Sequence, residues 1–262
     1  MKKITDLRKE DIEHIEIVCF DVDGVTIKKG TEIKEVRTLD DTTLTVKTSN
    51  LSPRLLKKMI ELKKYYVIAI SSGRSSLYLT KIFYELLWKN AALISEIGIF
   101  TLFEGELIQN EKFDDETLGI MRNIVVDLKK LEGKNKSFGS FEAKQFLITL
   151  HAYDEMQEVY DIVKKHDKNN QFYTIWNGEA FDIAPKRLNK GTALENLAKY
   201  LNIDIKNTMA IGNGPNDQDM IDAAGIGVTT EPKNVKGDYY TESLGHLGGE
   251  QLVDILLDIN KK

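Results

Sequence analysis

The sequence has almost no cysteine: Cys19 is the single one in 262 residues. It can form no intrachain disulfide and no cysteine-held metal cluster. Histidine is scarce too. His14, His151, His166 and His246 lie far apart, without the close spacing of a zinc site. No apolar run approaches the ~18 residues of a membrane helix. The start, Met1-Lys2-Lys3-Ile4-Thr5-Asp6, turns acidic at once and no signal-like apolar segment follows. A cytoplasmic protein without a membrane partner is the expectation. A basic excess is also missing: 36 Lys and Arg stand against 41 Asp and Glu, a net charge of −5. That argues against nucleic-acid binding, which needs a basic footprint. There is no internal repeat, no low-complexity tract and no G-x-x-x-x-G-K-[ST] string, so a P-loop kinase is disfavoured.

What is there suits a globular α/β protein. At ~150 residues per domain the length allows one to two domains. The hydrophobic fraction of 42% and charged fraction of 29% are ordinary for one. Residues 1–14 are mostly charged and read as a short surface helix. Ile15 to Phe20 reads as a buried strand feeding Asp21-Val22-Asp23-Gly24. Thr and Val over 31–48, with Asp40-Asp41 as a turn, predict a β-hairpin. Ser52-Pro53 opens a helix over 53–64. Tyr66 to Ile70 predicts a strand ending in Ser71-Ser72-Gly73-Arg74, then a helix over 75–88, then a strand over 91–94. This alternation predicts a Rossmann-like, doubly wound parallel sheet. The middle changes character: a helix around Leu118–Leu128, strands at 145–151, 172–176 and 180–183, and a helix around Met156–Val163. The βα pattern then resumes. The expected organisation is a core over 1–107 that carries the 31–48 hairpin, an inserted α+β cap over 108–185, and the rest of the core over 186–262.

The polar clusters fall at strand ends, where such sheets bind ligands. Asp21 and Asp23, with Gly24 to turn the chain, present paired carboxylates suited to Mg²⁺ and to a division between attack and proton transfer. Ser72 and Gly73 offer a hydroxyl and N–H groups to an anion. Lys190, before Gly191 and a helix, offers positive charge. Asn213, Asn216 and Asp217 lie on a glycine-rich loop able to complete a metal and phosphate site.

Four stretches in order, Phe20-Asp21-Val22-Asp23-Gly24, Ile70-Ser71-Ser72-Gly73-Arg74, Asn189-Lys190-Gly191 and Gly212-Asn213-Gly214-Pro215-Asn216-Asp217, resemble the motifs of the haloacid dehalogenase superfamily of phosphatases. The large insertion between the second and third, and the stretch Leu93 to Phe100, resemble its type-two cap subclass. The resemblance implies a Mg²⁺-dependent phosphomonoesterase acting on a small phosphorylated metabolite, with a sugar phosphate as the expected substrate. Asp21 would be the nucleophile, forming an aspartyl-phosphate, and Asp23 the acid and base. Ser72, Gly73, Lys190 and Asn216 would bind phosphate. Asp21, Asp23, Asn213 and Asp217 would hold the metal. One position departs from the pattern: the family commonly has Gly-Asp where this chain has Gly212-Asn213, and the neutral amide should weaken metal binding. In the cap, Glu142, Lys144, His151, Trp176 and Asp182 are candidate substrate contacts. Glu142-Ala143-Lys144 followed by His151 is similar to caps of trehalose-phosphate and mannosylglycerate-phosphate phosphatases. Alternatives are a sugar phosphomutase, or a catalytically weak binding or regulatory protein on the same scaffold. A monomer or small homo-oligomer is expected, with the hairpin as an active-site flap or a subunit contact.

Overall fold

The computed structural model describes residues 1–261. The strands along the chain are β1 (Lys2–Lys3), β2 (Ile17–Asp21), β3 (Glu32–Arg37), β4 (Thr42–Lys47), β5 (Val67–Ser71), β6 (Ala91–Ser95), β7 (Phe100–Phe103) and β8 (Glu106–Gln109). They continue with β9 (Phe138–Phe141), β10 (Ile148–Ala152), β11 (Phe172–Trp176), β12 (Ala180–Pro185), β13 (Thr208–Gly212), β14 (Ile226–Thr229) and β15 (Tyr239–Tyr240). The helices are α1 (Lys9–Ile12), α2 (Pro53–Leu62), α3 (Ser76–Phe83), α4 (Asp115–Lys129), α5 (Gln157–His166), α6 (Lys190–Tyr200), α7 (Gln218–Ala223) and α8 (Gly245–Lys261). None is long and apolar enough to cross a membrane. The chain forms two compact units. The first takes Met1–Gly30, Ser49–Asn110 and the chain from Leu188 on; the second takes Thr31–Thr48 and Glu111–Arg187.

The first unit is a doubly wound sheet in the order β1-β15-β14-β13-β2-β5-β6-β7-β8. β14, β13, β2, β5 and β6 run parallel; β7 and β8 extend the edge antiparallel. β2 is buried along its whole length, and successive side chains point to opposite faces. Val18 and Phe20 pack with Leu55, Met59 and Leu62 of α2 and Leu252, Val253 and Leu256 of α8. Ile17 and Cys19 pack with Ala193, Leu194 and Leu197 of α6. The same alternation puts Asp21 on the α6 face. Caps set where the helices start: Ser52 accepts from the Leu55 N–H ahead of Pro53, and Asn189 accepts from the Thr192 N–H so that α6 begins at Lys190.

Residues 1–14 contain a short helix, α1, but are not the wholly surface segment their charge predicts. β1 pairs with β15, and Ile4, Leu7 and Ile12 enter the core. Three apolar anchors are enough to bury a segment whose average composition is charged. The β7–β8 pair and β9 carry no clear sequence signal and were not expected.

In the second unit, β11-β12-β10-β9 form an antiparallel sheet. Ile148, Leu150, Phe181 and Ile183 pack under Met121, Ile124 and Leu128 of α4 and Val159 and Val163 of α5. The hairpin of β3 and β4 was expected as part of the core but groups with this unit. Ser140 Oγ of β9 donates to the Ile33 carbonyl of β3 at 3.1 Å. An isolated two-stranded hairpin is marginal, so the neighbour it gains in β9 decides where it belongs.

α4 and α5 are also joined by charge. The Asp127 carboxylate takes Lys130 Nζ at 2.5 Å, Lys165 Nζ at 2.6 Å and His166 Nε2 at 2.7 Å. These contacts, Lys130 foremost, hold the Asp127 carboxyl well below the usual range. Its contribution to stability is therefore full above the unfolded carboxyl value and is lost as pH falls toward the folded one. Asp127→Asn is expected to lower the urea midpoint at pH 7, and the gap to the parent should narrow as pH falls below about 4. Paired urea titrations across pH check this.

Candidate active site

β13, β2 and β5 are parallel neighbours, so their carboxyl ends share one edge of the sheet. Asp21 ends β2 and sits beside Ser71 of β5; Gly212 ends β13. The loop after Gly212 and the start of α6 bring in the remaining groups.

Lys190 is the centre of the cluster. Its Nζ donates to Asp21 Oδ1 and to Asp217 Oδ1, each at 2.5 Å. The three side chains are 2%, 7% and 0% exposed, in the order Lys190, Asp21, Asp217. Asp217 Oδ2 accepts the N–H groups of Asn213 and Gly214 at 2.9 and 3.0 Å. Both oxygens of Asp217 are thus bonded, one to Lys190 and one to the loop N–H groups. Gly212 is needed beneath it, since a Cβ there would lie 2.3 Å from Asp217 Cβ. Asn213 is buried and its Nδ2 donates to the Asp23 carbonyl at 3.1 Å. Asn216 lies exposed on the same loop.

Asp23 is held from the other side. Arg74 Nε reaches Asp23 Oδ2 at 2.9 Å and Nη2 reaches Oδ1 at 3.0 Å, a bidentate pair of the strong, oriented kind. The guanidinium also lies over the Tyr78 ring, 4.5 Å from its centroid. Arg74 belongs to the second sequence motif but was not among the expected site residues; the signal for it is the i, i+4 spacing to Tyr78 on the turn into α3. Ser72 is buried and its Oγ accepts the Arg74 N–H at 3.2 Å. The segment Glu96–Gly98 buttresses this turn: the Glu96 N–H donates to the Arg74 carbonyl at 2.9 Å and the Ile97 N–H to the Ser72 carbonyl at 3.0 Å. Its backbone is left-handed at Glu96, Ile97 and Gly98, with φ of 47°, 55° and 92°. Gly98 also lies against α6, where a Cβ would come within 2.4 Å of Ala193 Cβ.

The charges respond to this crowding. Burial, then the charge of Asp217, pushes the Asp21 carboxyl up to about 7, with Lys190 opposing. Burial acts to neutralise Lys190, but Asp21 and Asp217 together hold it above its ordinary value, so it stays an ammonium. Burial pushes the Cys19 thiol up to about 12, so it packs as an inert side chain.

In the second unit, Glu142, Lys144, His151 and Asp182 come together and Trp176 does not. Lys144 Nζ lies 2.5 Å from Thr149 Oγ1, 3.4 Å from Glu142 Oε2 and 3.9 Å from Asp182 Oδ1. Thr149 Oγ1 donates to Asp182 Oδ1 at 2.5 Å, and His151 Nε2 lies 3.3 Å from Glu142 Oε2. Strand alternation separates Trp176 from them. It pairs with Phe181 on the core face, ring centroids 4.7 Å apart, whereas Asp182 pairs with Thr149 on the other. Thr149 was missed, although its two-residue spacing to His151 marks the shared face.

The family model for haloacid dehalogenase-like hydrolases matches residues 121–234. The chain is 46% identical over 48 residues to the phosphatase YwpJ of Bacillus subtilis, a match spanning 18% of this chain and 17% of that protein. It is 23% identical to the phosphoglycolate phosphatase of Methanopyrus kandleri over 83% of this chain and 88% of that one. Its fold is similar to that of the trehalose-6-phosphate phosphatase of Aspergillus fumigatus, with a TM-score of 0.61, 15% identity and 98% of each chain covered. These likenesses agree on the haloacid dehalogenase-like hydrolases, whose family model covers less than half of this chain. In this chain the buried lysine is the element most exposed to substitution. Removing one partner of a buried ion pair costs about 3–5 kcal/mol, because the remaining charge is left uncompensated. Lys190→Ala strands two carboxylates and is expected to lower unfolding free energy on that scale; Asp217→Asn, which keeps an acceptor for the loop N–H groups, should cost less. Urea denaturation of the three proteins checks the order.

Proposed function

We propose that the chain is a phosphomonoesterase that hydrolyses a small phosphate ester, a sugar phosphate, through a phosphoryl group carried on Asp21. The observation behind this reading is the buried Asp21–Lys190–Asp217 arrangement at the carboxyl end of a parallel sheet, with Asp23 two residues on. Asp21 attacks phosphorus with the oxygen not bonded to Lys190. Lys190 fixes the nucleophile and meets the charge on the transferring group, as phosphoryl transfer requires. The Ser72 hydroxyl, the Gly73 N–H and Asn216 donate to phosphoryl oxygens. Asp23 gives its proton to the leaving oxygen and then takes one from the attacking water. Arg74 bonds both oxygens of Asp23, so it must release one of them for Asp23 to reach the leaving oxygen and the water.

The donor set fits a hard divalent cation, weakly. Asp21 keeps one carboxylate oxygen, Asp23 has its carbonyl, and the Asn213 amide has an oxygen if turned over. Among the described residues no three Asp, Glu, His or Cys side chains are grouped to hold a metal. Asp21, the Asp23 carbonyl and Asn213 are therefore the groups that would hold Mg²⁺, and Asp217 is not. When bound, the ion supplies positive charge against the phosphoryl oxygens.

The groups that read the rest of the substrate are, in this proposal, Glu142, Lys144, His151 and Asp182. Alternating carboxylates and cations suit a hydroxyl-rich ligand, and the names of the A. fumigatus and M. kandleri proteins point to small phosphorylated metabolites. A cytoplasmic setting and a small-molecule partner go with this reading. A non-catalytic phosphate-binding protein draws support from Asn213 and from the grip of Arg74 on Asp23.

A panel of phosphate esters with Mg²⁺ separates the two. Phosphate release by the parent, falling to background in Asp21→Asn with an unchanged circular dichroism spectrum, supports the enzyme. Phosphate binding without release across the panel supports the binding protein. The metal assignment has its own test. A carboxylate binds a hard dication better than a neutral amide does, so Asn213→Asp is expected to lower the Mg²⁺ needed for half-maximal activity on the order of tenfold. An unchanged or higher requirement removes Asn213 from the ligand set.

A further inference from the structure

The β3–β4 hairpin exposes more apolar surface than a free-standing ribbon needs. Leu44 and Val46 of β4 are 44% and 43% exposed, and every β4 residue faces solvent. Among the described residues β3 is the one strand beside β4, so the outer edge of β4 is open. Natural edges are usually guarded by charge, proline or a bulge. From Thr42 to Val46 this edge carries none of these; it is bounded by Asp40 and Asp41 at one end and Lys47 at the other.

The hydrogen-bond phase of the edge follows from the turn. The Thr38 N–H donates to the Asp41 carbonyl at 2.8 Å. In an antiparallel ladder bonded and non-bonded pairs alternate, so Val36 with Thr43, Lys34 with Thr45 and Glu32 with Lys47 are the bonded pairs. The N–H and C=O groups of Thr42, Leu44 and Val46 therefore point outward, away from β3.

We propose that this edge pairs with the same edge of a second copy of the chain, antiparallel, about a twofold axis at Leu44. That register keeps the outward residues in phase: Leu44 faces its symmetry mate, and Thr42 faces Val46 of the other copy, each pair exchanging two backbone bonds. It also sets Asp41 opposite Lys47 of the other copy, twice, by symmetry. A shift of the strands by two residues keeps the bonding phase but loses both charge pairs, so charge complementarity selects this register. Leu44 and Val46 of the two copies then form one continuous apolar stripe. A pairing of two six-residue strands is below the ~1,200 Å² of standard interfaces, so the dimer is weak and reversible, with a dissociation constant of about micromolar order. The inference does not depend on the catalytic reading.

Sedimentation equilibrium over about 1–300 µM tests it on the full chain. The parent mass should rise with concentration from 29.8 kDa toward twice that value. Leu44→Lys places like charges face to face on the axis and should weaken the dimer about tenfold or more. Asp41→Lys and Lys47→Asp should each weaken it about 3- to 10-fold, and the double variant should recover most of the loss. Lys47 also lies 3.4 Å from Glu32 within its own hairpin, so Lys47→Asp alone could act by loosening the ribbon. Recovery on adding Asp41→Lys, at the opposite end of the ribbon from Glu32, comes only from the pair between copies. A monomer throughout the range, a dimer indifferent to Leu44→Lys, or a double variant no tighter than the single ones overturns the proposal.

Discussion

One buried ammonium organises the candidate site. Lys190 satisfies Asp21 and Asp217 at once, and neither carboxylate is affordable at that depth without it. The remaining oxygen of Asp217 closes the 213–217 loop through two N–H groups, so the charge that steadies the nucleophile also shapes the loop. The lysine sits where it does because Asn189 starts α6 one residue earlier and because Ala193, Leu194 and Leu197 press that helix on the Asp21 face of the sheet. Core packing and site geometry are a single constraint here.

A second layer of restraint acts on Asp23. Arg74 holds its carboxylate, Asn213 holds its carbonyl, and the left-handed Glu96–Gly98 segment holds the turn that carries Arg74. The strain of three successive left-handed residues is tolerated because the N–H groups of Glu96 and Ile97 are spent on that turn and Gly98 fits against α6. The second unit repeats the principle with a sheet: alternation sends its apolar side chains under α4 and α5 and leaves Glu142, Lys144, Thr149, His151 and Asp182 to satisfy one another on the opposite face.

Much of the fold was legible because local signals and tertiary demands agree. The apolar runs before Asp21 and Ser72, the Ser52-Pro53 cap and the three-and-four spacing at Leu55, Met59 and Leu62 each specify an element and its buried face. The short, weakly patterned pieces were not legible. Phe138–Phe141 has too few residues to show a period, and Ile4, Leu7 and Ile12 are hidden among charges. The hairpin at 31–48 was recognisable as a hairpin, but its allegiance was not, since that depends on β9, about a hundred residues away in sequence.

The same division runs through the site. Residue type and order along the chain were enough to nominate Asp21, Asp23, Ser72, Lys190, Asn213 and Asp217, because strand ends and helix starts converge in a parallel sheet. What each atom does there was decided only on folding. Asp217, a plausible metal ligand by composition, spends both oxygens on Lys190 and the loop; Arg74 takes Asp23; Trp176 turns into the core while its neighbours in the candidate set do not. Sequence spacing fixes which residues can meet, but hydrogen bonds are satisfied one atom at a time, and which partner reaches a given oxygen depends on contacts between segments far apart in the chain.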